Sequence, residues 1–478
     1  MIEVELLELI EKVKAMKTEF QTIECKTAKE GCPKRLYDTL SAFSNQDSGG
    51  IILFGIDENK GYEAIGVYDA QDLQKKVTEQ CKQMCPIIRP VFTAVQAGGG
   101  IIVSAEIPGI DVSERPCYYG GVGRLKGSYV RSGDSDEPMS DYEIYSYEAF
   151  RKKYQDDIRI NEKADLLSID RKKLDGYVDR IKENNPKLAQ LPEEAVLRNL
   201  GMIVDGRPTL VCTLLFSIYP QMFYPQYTVN AMVAMGYEKG ETAADGSRFI
   251  DNRRIEGTLP EMLEETMKFL SKNMKVRTIV DPNTGERADK TEYPVVALRE
   301  AVLNAIIHRD YSMHTEAMPI EVVMYKDRVE IRNPGGLYGR LTLDKLGKVQ
   351  PDTRNPVLAR AMETLGKTEN RYSGIPTMVM EMKKAGMEPP VFENLRSEFG
   401  VIFYNSSGEK SESHAAEEKD LLMFCKEPRT RAEIAEYLGL GTVAYVVQNY
   451  IKPLIDSGEL FMTIPEHPRS KHQKYYSR

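Results

Sequence analysis

The sequence contains no tryptophan and only five histidines. Its longest apolar stretch, around 210–218, is about half of what a helix needs to cross a bilayer. A membrane-spanning chain is therefore excluded. The cysteines at 25, 32, 81, 85, 117, 212 and 425 form neither a CxxC pair nor a Cys/His finger, which argues against a disulfide framework and a structural zinc site. The first residues, Met1-Ile2-Glu3-Val4-Glu5, are acidic and lead into no apolar run with a small-residue cleavage site, so a cytoplasmic protein is expected. Excess positive charge is also missing: 64 basic against 72 acidic side chains give a net charge of −8. That excludes a chain coated in nucleic acid but leaves room for a local basic face.

What is present is ordinary globular material, 41% hydrophobic and 28% charged over 478 residues, a length that suggests about three domains. Glycine-punctuated strand and helix patterns alternate up to about 155, giving an α+β or α/β unit. Strand-like runs fall at 51–54, 101–103 and 128–130, and helix-like ones at 33–43 and 72–81. A charged helical lead-in follows. The block to 405 opens with the apolar run Thr209 to Ile218, expected to be a buried strand, and continues with a strand at 227–235. Helices over 259–274 and 293–308 and a strand pair at 320–325 and 328–332 come next. The polar, small residues of 406–415 read as a linker. From 416 to 478 the order is helix, helix-turn-helix, β-ribbon, that of a winged helix.

The most specific run is Leu298-Arg299-Glu300-Ala301-Val302-Leu303-Asn304-Ala305-Ile306-Ile307-His308-Arg309-Asp310-Tyr311. On a helix, Glu300, Asn304 and His308 share one face. A carboxylate one turn from an amide suits phosphate chemistry, because the Asn oxygen can hold Mg²⁺ and the Glu can orient a water. Alone, the same spacing would describe a solvated stripe. Two later turns fit the same site. Ile331-Arg332-Asn333-Pro334-Gly335-Gly336-Leu337 offers glycines for close backbone approach. Arg354-Asn355-Pro356 and Glu369-Asn370-Arg371-Tyr372-Ser373-Gly374-Ile375 add arginines and a small-residue turn.

Taken together, these runs resemble the divergent ATP-binding domain of the GHKL (Bergerat) type, related to gyrase, MutL and histidine kinases and found in bacterial transcriptional regulators. The resemblance implies an α/β sandwich over 156–405 binding ATP and Mg²⁺. It makes Glu300 the water-activating base of a weak ATPase, Asn304 the Mg²⁺ ligand, Asn333 to Gly336 the adenine-side turn, and Arg371, Ser373 and Gly374 the phosphate-side turn. His308, Arg309, Asp310, Arg354 and Asn355 complete the candidate nucleotide set. Asn333 stands where active GHKL enzymes carry an Asp, and Tyr372-Ser373-Gly374 replaces the GxG of the lid.

In the first block, Glu19 to Lys26, Leu40 to Asn45, Gly49 to Asp57, Arg115-Pro116 and Tyr129 to Gly133 resemble the Schlafen AlbA-like domain, here over 1–155. That resemblance implies DNA binding, with Lys26, Arg124 and Arg131 as phosphate contacts. Some Schlafen proteins instead cut RNA with two glutamates and an aspartate on a metal, and Glu19, Glu24 and Asp57 fall near those positions. Glu19 and Glu24 would point to opposite faces of one regular strand, and Glu58 competes with Asp57.

In the last block, a recognition helix over 443–457 would leave Thr442, Tyr445, Gln448, Asn449 and Lys452 for a groove, with Arg469, Lys471 and Lys474 charging the wing. The alternative use of such a fold is protein contact. The expectation is an ATP-binding, DNA-binding transcriptional regulator, dimeric by analogy. The alternative is a metal-dependent nuclease acting on RNA or DNA under nucleotide control.

Overall fold

The computed structural model describes the whole chain except residues 243–245, 281–286, 368–372, 396, 406–420, 438–446, 464–472 and 478. The expected linker, Arg371 and Tyr372, and Thr442, Tyr445, Arg469 and Lys471 lie outside the described residues, as do the side chains of Gln448 and Asn449. The fold is mixed α+β. Among the described residues no helix is long and apolar enough to cross a membrane.

The N-terminal sheet runs Ile23–Lys26, Gly50–Phe54, Gly100–Ile107, Val91–Ala97, with the first pair parallel and the others antiparallel. Successive side chains on a strand face opposite ways, so the sheet carries two separate cores. Ile23, Cys25, Leu53 and Ile102 meet Leu6, Ile10 and Val13 of the helix Glu3–Met16. Ile52, Phe54, Val103 and Ala105 meet the helices Tyr37–Ser44 and Ala70–Cys81 through Leu40, Phe43, Leu73 and Val77. The helix Asp141–Lys152, begun by a Ser140/Glu143 capping box, and the turn Asp156–Ile158 lead out of this unit.

The central sheet has six strands in the order Phe249–Ile255, Val229–Ala234, Ile320–Met324, Arg328–Pro334, Glu398–Tyr404, Val391–Asn394. Only the Val229–Ala234/Ile320–Met324 pair is parallel. One face presents Val229, Ala231, Val322, Val329, Ile331, Val401 and Phe403 to the helices Leu259–Asn273, Val295–His308, Pro356–Thr364 and Gly374–Lys384. The run expected to be a strand at 209–218 is instead the helix Leu210–Phe216, capped by the Thr209 hydroxyl, which accepts from the Cys212 N–H at 3.4 Å. All seven helical residues are buried, and a run that is apolar but for Thr213 carries little period to tell a buried strand from a buried helix.

At the C-terminal end, Leu421, Cys425, Ile434, Ile451, Leu454, Leu460 and Tyr475 form a small core. It lies under the helices Arg431–Tyr437 and Lys452–Asp456 and a three-stranded sheet ordered Arg429–Thr430, Lys474–Ser477, Leu460–Met462. The expected single helix over 443–457 enters, in its described part, through a wide turn at Val447–Ile451 before the α-helix.

Candidate functional site

A cavity of about 630 Å³ opens between the helix Val295–His308, the end of the strand Arg328–Pro334 and the start of the helix Gly374–Lys384. Small-molecule sites span roughly 300–1,000 Å³, so the space is of ligand size. Glu300, Asn304 and His308 line it together, as their four-residue spacing requires. Asn333, Gly335, Gly336, Arg354, Ser373 and Gly374 line it as well.

Asn304 and Glu300 converge on the start of the helix Gly374–Lys384. A Cβ on Gly374 would lie 2.8 Å from Asn304 Nδ2 and 3.1 Å from Glu300 Oε2, so a larger residue would push into both groups. The start of this helix therefore packs directly against an amide and a carboxylate, and all of them line the cavity, a set of groups suited to phosphate and a divalent cation.

The glycine turn on the opposite wall is held from behind. Gly335 has φ +98°, and a Cβ there would lie 2.7 Å from Asp310 Cβ, so both backbone conformation and space demand glycine. The Asp310 N–H donates to the Pro334 carbonyl at 2.8 Å, and Gly335 N–H to the Ser397 carbonyl at 2.7 Å. Asp310 itself is fully buried; its carboxylate accepts from Arg354 at 2.5 Å, from the Tyr142 hydroxyl at 2.8 Å and from the Ser312 N–H at 2.8 Å. Burial alone would raise its pKa, but Arg354 and these hydrogen bonds hold it below the ordinary carboxylate range. Arg354 also donates to the Gly336 carbonyl at 3.2 Å. His308 opens onto the cavity while protein surrounds it. Its side chain is exposed to the solvent in the cavity, and partial desolvation by the walls, with the Arg354 charge added, lowers its pKa from the ordinary imidazole value.

Not every expected nucleotide residue faces the cavity. Arg309 is 1% exposed and donates to the carbonyls of Asp310, Thr315 and Met318, with its guanidinium over the rings of Tyr227 and Tyr311. Asn355 is buried, and its amide caps the carbonyls of Ile307 and Arg309, each at 2.8 Å. Asn355 thus serves the end of the helix Val295–His308, where backbone carbonyls lack helical partners, while Arg309 ties together the turn 310–318 that follows it. Asp310 stands behind the turn rather than in the lining. Tyr142, Tyr338, Arg299 and Asp352 were not foreseen; the last three line the cavity.

In the N-terminal unit, Glu19 and Glu24 do come together. Glu19 precedes the strand Ile23–Lys26, so strand alternation does not separate it from Glu24, and its carboxylate turns back to accept from the Cys25 N–H at 2.7 Å. Arg131 lies beside both, 2.9 Å from Glu24 and 3.6 Å from Glu19, and also pairs with Asp136 at 2.9 Å. Burial, then the charges of Glu24 and Glu58, raise the Glu19 pKa to about 7. Asp57 is engaged elsewhere, accepting from the Asn59 N–H at 3.1 Å beside Lys60. Among the described residues no group of three or more His, Cys, Asp or Glu side chains is placed to hold a metal ion.

The expected phosphate contacts of this unit are occupied by acids. Arg131 is enclosed with its carboxylates and the Phe43 ring, Lys26 pairs with Glu24, and Arg124 pairs with Glu148 beneath the Tyr118 ring. Lys29, Lys34 and Lys82 are exposed on the neighbouring loop and helix end. Lys452 and Lys474 are exposed in the C-terminal unit.

Three segments match family models. Residues 19–140 match "Schlafen, AlbA_2", residues 317–403 match "Putative ATP-dependent DNA helicase recG C-terminal", and residues 419–476 match "Filamentation induced by cAMP protein Fic-like, C-terminal domain". The second match covers the glycine turn, Arg354 and Gly374 but begins after Glu300 and Asn304. Among solved structures, the chain is similar to the DIP2311 protein from Corynebacterium diphtheriae, at 20% identity over 94% of this chain and 92% of that one, with a TM-score of 0.40. It is also similar to the N-terminal domain of a RecG-related protein from Nitrosomonas europaea, at 30% identity over 28% of this chain and 92% of that one, with a TM-score of 0.23. No curated protein matches.

Proposed function

We propose that this chain, which belongs to the proteins joining a Schlafen AlbA_2 domain to a RecG-type C-terminal ATPase-like domain, is an ATP-binding, DNA-binding transcriptional regulator. Its parts are 1–155, a nucleic-acid-binding unit; 156–405, the nucleotide unit; and 416–478, a winged helix joined through 406–415. The observation that carries the reading is the convergence of Asn304 and Glu300 on Gly374 within the cavity.

The cavity beside Gly374, about 630 Å³ and lined by Asn304 and Glu300, has room for a phosphate chain with Mg²⁺: Asn304 would supply a neutral oxygen ligand and Glu300 a carboxylate that orients water. Mg²⁺ bound there would neutralise phosphate charge. Asn333 would accept a purine amino proton without the charge of an Asp, which weakens base recognition. The site is therefore read as one that binds and senses ATP, with slow hydrolysis at most.

DNA contact is assigned to exposed lysines, Lys29, Lys34 and Lys82 in the first unit and Lys452 and Lys474 in the last, together with Arg469 and Lys471, which the sequence pattern alone assigns to a wing. The test is duplex-DNA affinity against salt with and without Mg·ATP. Replacing Arg469, Lys471 and Lys474 together with Ala is expected to flatten the salt slope by about three contacts. An unchanged slope would remove the wing from the interface.

A further inference from the structure

One wall of the cavity comes from the strap between Leu337 and Arg354, which contributes Tyr338, Leu341, Val349 and Asp352 to the lining. Residues from the N-terminal unit and its lead-out grip this strap along its length. At its start, the ring of Phe150, on the helix Asp141–Lys152, meets Tyr338 edge-on with centroids 5.5 Å apart. Next, the Arg340 guanidinium lies 5.4 Å from the Phe150 ring centroid and 3.5 Å from the Asp111 carboxylate. At the end, Tyr142 of the same helix donates to Asp310, which Arg354 joins to the Gly336 carbonyl. Just beyond it, Asp157 accepts from the N–H groups of Val357 and Leu358 at 2.8 and 3.1 Å, so the lead-out caps the following helix.

Tyr142 is thus two hydrogen bonds from Arg354 in the cavity wall, through the buried Asp310, which also packs against Gly335. Taking the cavity to be the nucleotide site proposed above, we propose that Tyr142, supplied by the N-terminal unit, is a positioning residue of that site and that nucleotide affinity depends on how the N-terminal unit sits against the strap. The hydroxyl shares the Asp310 carboxylate with Arg354, and so fixes the guanidinium that supports the glycine turn. Binding linkage makes the effect reciprocal: nucleic acid that shifts the helix Asp141–Lys152 changes nucleotide affinity by the same factor that nucleotide changes nucleic-acid affinity.

The test is equilibrium dialysis of the full-length chain against labelled Mg·ATP for the wild type, Tyr142→Phe and Tyr145→Phe. Tyr145 is the control, since it sits on the same helix and its hydroxyl donates to Asp156 at 2.9 Å rather than to the glycine turn. Tyr142→Phe is expected to bind about tenfold more weakly, the worth of one hydrogen bond to a charged group, and Tyr145→Phe within twofold of the wild type. Equal affinity for Tyr142→Phe and wild type, or an equal loss in Tyr145→Phe, overturns the proposal while leaving the nucleotide site standing. A wild type that does not bind Mg·ATP overturns both. Should Tyr142→Phe not fold, Phe150→Leu carries the test: a severalfold loss supports the grip, and wild-type affinity overturns it.

Discussion

Arg354 and Asp310 form an ion pair at 2.5 Å in the interior, 44 residues apart in the chain, directly behind the glycine turn of the cavity. A buried pair of this kind contributes less through attraction than through what its loss exposes. Arg354→Met leaves the Asp310 charge buried with only Tyr142 and Ser312 as donors, and is expected to cost about 3–5 kcal/mol in urea denaturation at pH 7. The double variant Asp310→Asn/Arg354→Met should recover part of that loss. Additive losses would contradict the pairing.

The same carboxylate sets a pH dependence. Its folded pKa lies below the unfolded value of 3.8, so the stability it contributes is present above that value and is lost as pH falls through the folded pKa. The stability difference between wild type and Asp310→Asn should shrink on acidification below pH 4. A difference that stays flat would show that the charge is not stabilised where the structure places it.

Asp157 behaves in the opposite sense. Burial, only partly offset by the N–H groups of Leu358 and Val357, raises its pKa from 3.8 to about 6. The folded state therefore binds the extra proton between these values, and stability falls as pH rises through that window. The wild type should lose up to about 3 kcal/mol relative to Asp157→Asn between pH 4 and pH 7. A pH-independent difference would be the contrary result.

Arg131 holds Glu19 and Glu24 together. Arg131→Met removes the cation shared by Glu24 and Asp136 and leaves Glu24 with Lys26 alone, and should destabilise the chain by about 3 kcal/mol in the same denaturation assay. With the cation in place, end-labelled transfer RNA and duplex DNA are expected to remain intact on a denaturing gel in Mn²⁺ or Mg²⁺. Cleavage that vanishes with EDTA and in Glu24→Ala would instead establish the nuclease.

The sequence shows some of this directly and hides the rest for physical reasons. Glu300 and Asn304 are readable because a helix places residues four apart on one face whatever its surroundings. The glycines of the turn are readable because few other residues tolerate the backbone they imply. The run 210–216 reads as a strand because all of it but Thr213 is apolar, which leaves little period to separate a buried strand from a buried helix, and only Thr209 as a cap hints at the outcome. Arg309 and Asn355 look like nucleotide ligands beside their neighbours, but Asn355 turns to the last carbonyls of the helix Val295–His308 and Arg309 to those of the turn 310–318. Tyr142 could not be foreseen, because its partner lies 168 residues away and only the packing of two units brings them together.

The most direct test of the account is calorimetric titration of Mg·ATP into the full-length protein at two temperatures, so that a vanishing enthalpy at one cannot pass for absence of binding, with Asn304→Ala alongside. The account predicts saturable binding by the wild type that weakens at least about tenfold in Asn304→Ala, the loss of one ligand to the cation on the phosphates. Absence of binding at both temperatures, or equal affinity in the two proteins, would contradict it.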